Sequence, residues 1–211
     1  MAKFPKGFLF GSATSAHQTE GHQNNDWARW EKIPKKIENG DSSEIAADSL
    51  NKWREDIELL KNSGQNAYRF SIEWSRIEPE EGKFSKSAIE HYREIIFECK
   101  RNKIEPMITL FHFTSPLWID DIGGWRNRRA AVYFVRFAVR MAEEYGNAVM
   151  LWSVINEPTV YANTGYVVGN WYPGLKRKYF DAIKVFFNLI YTQKQIYLQM
   201  KRERPQIQIG I

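Results

Sequence analysis

Two periods alternate along the chain. Apolar residues step by three and four at Leu50, Trp53, Ile57 and Leu60; at Ile89, Tyr92, Ile96 and Cys99; at Val132, Val135, Val139 and Ala142; and at Phe180, Ile183, Phe187 and Ile190. This spacing puts each set on one side of a helix, so four amphipathic helices are predicted with these residues as their buried faces. Between them lie runs of strand character: "GFLFGSAT" (7–14), "NAYRFSI" (66–72), "IEPMITLF" (104–111), "VMLWSVI" (149–155) and "IQIGI" (207–211). Several are apolar at consecutive positions, as parallel strands covered by helices are. No glycine-rich phosphate loop follows the first strand, which favours a (β/α) barrel over a nucleotide-binding sheet. Five strands and four helices are too few to close eight βα units. The expected architecture is therefore α/β, the first four βα units plus the fifth strand of a (β/α)8 TIM barrel. With no linker-like stretch, residues 1–211 are expected to form a single domain.

In such a barrel the chemistry collects where the strands end. The first run is followed by "SAHQTEG", carrying His17, Gln18 and Glu20; the third ends at His112, and the fourth at Asn156 and Glu157. Within the second, alternation places Arg69 with Ala67 and Ser71, opposite Tyr68, Phe70 and Ile72. If the bulky side faces the helices, a guanidinium points into the barrel and needs a carboxylate partner. Glu20 and Glu73 would serve in a purely structural pair. Pro158 is expected to hold Glu157 in extended geometry. Strict alternation would send Asn156 and Glu157 to opposite faces, so a bend or bulge is predicted there. The following "TVYANTGYVVGNWYPG" reads as loop, which favours a general acid over a helix-start carboxylate.

Charge and composition alter this picture little. The net charge of +5 and the "RNRR" and "KRK" clusters occur without a nucleic-acid-binding motif, so they read as solvated helix faces. One cysteine permits no internal disulfide, which fits a reducing compartment, the cytoplasm by default. The run "VFFNLIY" is too short to span a bilayer, and no membrane association is expected. The four histidines show no metal-ligand spacing, so neither metal nor cofactor is expected.

The motifs "FPKGFLFGSATSAHQTEG", "DWARWE", "YRFSIEWSRI", "TLFHFTSPLWI", "GGW" and "INEP" occur in an order that resembles glycoside hydrolase family 1, the β-glucosidase and 6-phospho-β-glycosidase family. "NEP" is shared with other barrel glycosidases, whereas the opening signature is specific. The resemblance implies a retaining β-glycosidase fold, with Glu157 as general acid/base and Asn156 as the contact to the sugar hydroxyl beside the reacting carbon. It further implies Gln18 and His112 as contacts to other hydroxyls, and Arg69 paired with the nucleophilic carboxylate. Trp118 and Trp171 would flank the leaving group. Phe113 stands where the family frequently has Trp.

Retaining hydrolysis requires a second carboxylate roughly 5–5.5 Å from the first. In the family it stands in a "TENG"-like motif on a late strand, beyond the position equivalent to residue 211. Here "IENG" at 37–40 contains Glu38 but lies in an early loop, which marks it as coincidence. The partners implied are a β-glycoside substrate and either a C-terminal half-barrel or further copies pairing through exposed edge strands. The alternative reading is a non-catalytic half-barrel that binds sugar or self-assembles.

Overall fold

The computed structural model describes residues 3–211. The chain runs through β1 (Gly11–Ala13), α1 (Ser49–Asn62), β2 (Ala67–Ser71), α2 (Lys86–Arg101), β3 (Glu105–Phe111), α3 (Arg128–Tyr145), β4 (Leu151–Ile155), α4 (Tyr179–Glu203) and β5 (Gln208–Gly210), with short helical turns in the loops. All neighbouring strands pair in parallel, and their spatial order is their sequence order. Parallel neighbours joined in succession through outer helices make five consecutive strands of a (β/α)8 barrel.

The register aligns Arg69 with Met107 and Ser71 with Thr109, then Thr109 with Ser153. Tyr68, Phe70, Ile108, Leu110, Trp152 and Val154 are buried in the hydrophobic core, while Arg69 donates to Thr109 and Ser153 on the inner side. Alternation thus assigned the two sides of β2 correctly. Helix starts follow local capping chemistry: Ser85 Oγ accepts the Ala88 amide at α2, and Asn127 Oδ1 accepts the Arg129 amide at α3.

For α1 and α2 the predicted faces are nearly those observed, with Trp53, Ile57, Leu60, Ile89, Tyr92, Ile96 and Cys99 buried. The thiol of Cys99 is pushed up to about 12, chiefly by burial. Two helices differ. On α3 the buried residues include Phe134, Phe137, Ala138, Met141 and Tyr145 besides the predicted Ala142, whereas Val132 is 64% exposed. On α4 the buried face is Ala182, Val185, Leu189, Thr192, Ile196 and Met200, while Ile183 and Phe187 are exposed. Both helices carry apolar residues at overlapping spacings, and the periodic pattern singled out the wrong stripe.

The first strand is also shorter than the predicted 7–14. Only Gly11–Ala13 pairs with β2, and Phe8 and Phe10 form an exposed aromatic cluster with Phe4, at 4.6–4.8 Å between ring centroids. The pairing is close: a Cβ on Gly11 would lie 2.3 Å from the Ala67 carbonyl oxygen, so only glycine fits there.

Candidate active site

Three strands deliver hydrogen-bonding groups to one point. Arg69 of β2 donates from Nε to Thr109 Oγ1 (2.9 Å) and from one terminal nitrogen to Ser153 Oγ (3.2 Å) and Asn156 Oδ1 (2.7 Å). The Asn156 amide nitrogen in turn lies 3.3 Å from Glu157 Oε2 and 3.4 Å from His112 Nε2. Arg69, His112, Asn156 and Glu157, expected together from the sequence, are therefore one connected cluster. Thr109 and Ser153 were not anticipated, although each stands as an isolated polar residue in an apolar run.

Arg69 makes no ion pair among the described residues. Glu20, one carboxylate available for a structural pair, is bound instead by Arg76 at 3.2 Å and by the Tyr92 hydroxyl at 2.8 Å. Glu73, the other, accepts from Thr114 and Ser75. The hydrogen-bond partners of Arg69 are neutral side chains; burial pulls the guanidinium below its usual range, and the charge of Glu157 acts in the opposite direction.

Simple alternation fails at both strand ends. Thr109 reaches inward to Arg69, yet Phe111, two residues on, packs against Trp125, Phe134 and Tyr161 in the helix layer. It is therefore His112 that meets Asn156. The next residue at each end is left-handed: Phe113 has φ 74° and Glu157 has φ 45°, ψ 60°. The predicted distortion after Asn156 takes this form. The expectation of extended backbone at Glu157 is overturned: Pro158 begins a helix, Pro158–Asn163, and the chain enters it through a left-handed Glu157. The stretch read as loop is thus helical at its start, followed by a π-helical turn at Thr164–Val168. Glu157 sits at the N-cap position, but its side chain caps nothing and is exposed.

A cavity of about 220 Å³ adjoins this cluster, lined by Ser15, His17, Gln18, Trp27, His112, Phe113, Thr114 and Trp171. Gln18 is oriented by Ser15, whose hydroxyl donates to Oε1 at 2.6 Å, while neighbouring His17 bonds to Glu31 and Glu20 turns into the core. Phe113 stacks nearly parallel to Tyr161 and edge-on to Trp171, which also meets Trp27 edge-on at 5.6 Å. Trp118 is elsewhere: its indole donates to the Glu78 carbonyl and packs against Trp74 and Tyr133, away from the lining of this cavity. Glu38 of "IENG" lies in an exposed 3-10 turn.

The left-handed turn at Phe113 is clamped by two buried acids. Asp26 Oδ1 accepts the amides of Ser115 (3.0 Å) and Trp27 (2.8 Å), and Glu73 accepts the Thr114 hydroxyl (2.9 Å). Burial holds the Asp26 carboxyl well above the usual carboxylate range, even though the Ser115 amide acts against it. Asp26→Ala leaves two amides without acceptors and is expected to cost about 1–3 kcal/mol for each one left unpaired. Asp26→Asn, which keeps an acceptor oxygen, should recover most of the loss. Urea midpoints of the two variants test this.

Burial, and after it the Arg69 guanidinium, lower the His112 imidazole to about 4. The ring is neutral in the fold at pH 7, and the unfolded chain takes up its proton near pH 6.5. Its contribution to stability is therefore complete above about pH 6.5 and is lost as pH falls towards 4, a change on the order of 3 kcal/mol. His112→Gln should flatten the stability curve between pH 6.5 and 4 relative to the parent chain. Identical slopes would contradict the assignment.

Among the described residues no cluster of three or more His, Cys, Asp or Glu is placed to hold a metal, and no helix is long and apolar enough to cross a membrane.

The glycosyl hydrolase family 1 profile matches residues 1–211. The chain is 39% identical over 186 residues to a 1,4-β-D-glucan glucohydrolase of Thermotoga neapolitana, covering 85% of this chain and 44% of that protein. It is 34% identical to a 6-phospho-β-galactosidase of Clostridium acetobutylicum, covering 100% of this chain and 45% of that protein. The solved family 1 β-glucosidase of Thermotoga maritima superposes with a TM-score of 0.95 at 34% identity, covering 99% of this chain and 48% of that structure. The chain thus spans about half the length of the relatives it matches. On the profile match, the identities and the shared barrel strands together, the chain belongs to glycosyl hydrolase family 1.

Proposed function

We propose that this chain carries the acid/base half of a retaining β-glycosidase, with the nucleophilic carboxylate supplied by a C-terminal half. The observation that carries this reading is the connected cluster of Arg69, Asn156, His112 and exposed Glu157 at the carboxyl ends of parallel strands. Glu157 donates a proton to the departing glycosidic oxygen and later takes one from water. Asn156 binds the hydroxyl beside the reacting carbon. Gln18 and His112 bind hydroxyls further round the ring, and Trp171 flanks the leaving-group side.

The chemistry accounts for these residue types. A second carboxylate, roughly 5–5.5 Å from Glu157, traps the sugar as a covalent intermediate. Arg69, held by three neutral acceptors and facing the inner side, has donor capacity left for that anion. Relatives named as glucohydrolase and as 6-phospho-β-galactosidase are almost equally covered by this chain, so the proposal stops at β-linked glycosides.

The test is turnover of a chromogenic aryl β-glycoside by the chain alone and after addition of a C-terminal half. Activity only on mixing supports the proposal. Activity of the chain alone would overturn the assignment of the nucleophile to another half. Sugar binding without turnover in either sample favours the second reading, a non-catalytic half-barrel. The exposed β1 edge is the observation behind that alternative.

A further inference from the structure

His17 lines the cavity beside Gln18 but has no part in the proposed chemistry. Both of its ring nitrogens are taken by the protein. Nδ1 lies 3.3 Å from Asn25 Nδ2, while Nε2 lies 3.0 Å from Glu31 Oε1 and 3.3 Å from Ser43 Oγ. Asn25 Oδ1 accepts the Ala28 amide at 2.9 Å, which fixes the side-chain amide and turns its Nδ2, a donor only, towards the ring. Nδ1 must therefore accept. The ring proton then sits on Nε2, where the Glu31 carboxylate receives it. Glu31 is itself held by the Ser43 amide (2.9 Å) and hydroxyl (3.0 Å), both of which donate to it. The His17 and Glu31 side chains are each only 11% exposed, so water competes little for these bonds. No donor or acceptor of the ring is left over for a sugar.

These bonds join two walls of one cavity. His17 belongs to the helical turn Ala16–Thr19, which follows β1 and carries Gln18. Asn25 caps the helix Asp26–Glu31 and Glu31 ends it, and that helix carries Trp27, which meets Trp171 edge-on at 5.6 Å. Ala28 stands three residues from each of them on the same face, and its short side chain leaves both within reach of one imidazole. We propose that His17 is a positioning residue: through its Nε2 proton and its Nδ1 lone pair it latches the helix bearing Trp27 to the turn bearing Gln18. The latch fixes the separation between the hydroxyl contact and the aromatic wall. The reacting cluster is anchored without it, since Arg69, His112, Asn156 and Glu157 connect to one another and to Thr109 and Ser153. Loss of the latch therefore weakens binding of the glycoside and spares the chemical step.

The inference rests on the glycosidase reading for the roles of Gln18 and Trp171, so one arm of its test needs no turnover. In the ¹⁵N-labelled chain, ring ¹⁵N–¹H spectra should show the His17 proton on Nε2. Glu31→Ala, which leaves the imidazole in place, should displace the Trp27 indole resonance. A proton on Nδ1, or an unmoved Trp27 resonance, overturns the latch. The second arm measures kinetics on an aryl β-glycoside with the site completed as in the proposed function, after circular dichroism has shown each variant to be folded. His17→Phe, which keeps a ring and makes neither bond, and Glu31→Ala should each raise KM by about tenfold with kcat within about twofold. The double variant should be no worse than either single one, because both remove the same contact. His17→Gln can donate to Glu31 and accept from Asn25, and should recover most of the loss. Unchanged KM, a fall in kcat at constant KM, or additive losses overturn the proposal. An Nε2 proton and a displaced Trp27 without turnover in any sample keep the latch and sink the glycosidase reading; turnover with KM unchanged in both single variants does the reverse.

Discussion

In a site completed by a C-terminal half, Glu157→Gln is expected to lower kcat/KM on an unactivated alkyl β-glycoside by about 10²–10⁴-fold, the usual contribution of a positioned general acid. Glutamine matches the shape of glutamate and keeps an oxygen for the Asn156 amide, which lies 3.3 Å from Glu157 Oε2. What it lacks is a transferable proton. The loss should therefore depend on the leaving group: nitrophenolate departs with little protonation, so kcat/KM on the nitrophenyl glycoside should fall much less. A comparison of the two substrates reads the role directly. Equal losses on both would point to a disturbed site, and unchanged alkyl-glycoside kinetics would remove Glu157 from the chemistry.

The second large effect is on stability. Phe134→Ala is expected to cost about 3–5 kcal/mol, which lowers Tm by on the order of 10 °C in a chain of this size. Phe134 is fully buried, with Trp74, Phe111, Trp125 and Phe137 around it at centroid distances of 5.1–5.9 Å. Removing the ring opens a cavity that these neighbours fill only in part. Phe111 ends β3 directly before His112, so the same change should loosen the candidate site. Val132→Ala, two residues earlier on the same helix but largely exposed, is expected to change stability by no more than about 0.5 kcal/mol. Thermal scans of the pair distinguish the observed face of α3 from the one its periodicity suggested. A costly Val132→Ala with a mild Phe134→Ala would reverse the assignment.

Much of the fold was legible because local patterns carried it. In β2, bulky residues occupy every second position and a single arginine stands out of phase, so the inward side of Arg69 could be read directly. Helices α1 and α2 have one apolar face each, and their spacing identified it. Helix α3 offers Val132, Val135 and Val139 at one spacing and Phe134, Phe137 and Met141 at another, and nothing local ranks the two. On α4 the predicted stripe is a real apolar surface, though it faces away from the strands. Periodicity reports that a face is apolar without saying which neighbour covers it.

The candidate site divides in the same way. Strand ends pointed to His17, Gln18, Glu20, His112, Asn156 and Glu157, and the family resemblance singled out Glu157, Asn156, His112 and Gln18 among them; the structure brings the first three of these four into contact and lines the adjoining cavity with Gln18. Asp26 and Glu73 were missed as parts of the site because their contacts reach 89 and 41 residues along the chain, to the turn that shapes it. Trp118 and Trp171 were both named from the family resemblance, and of the two Trp171 lines the cavity beside the cluster.

The sequence by itself determined the alternation of strands and helices, the parallel barrel order and the identity of the polar residues at the strand ends. These follow from short-range periodicity and from bonds each residue makes with near neighbours. Only the tertiary structure decided which stripe of α3 and α4 is buried, that Phe113 and Glu157 turn left-handed, and which acids clamp the turn beside His112. Those outcomes depend on burial against distant segments, where desolvation and packing outweigh local preference.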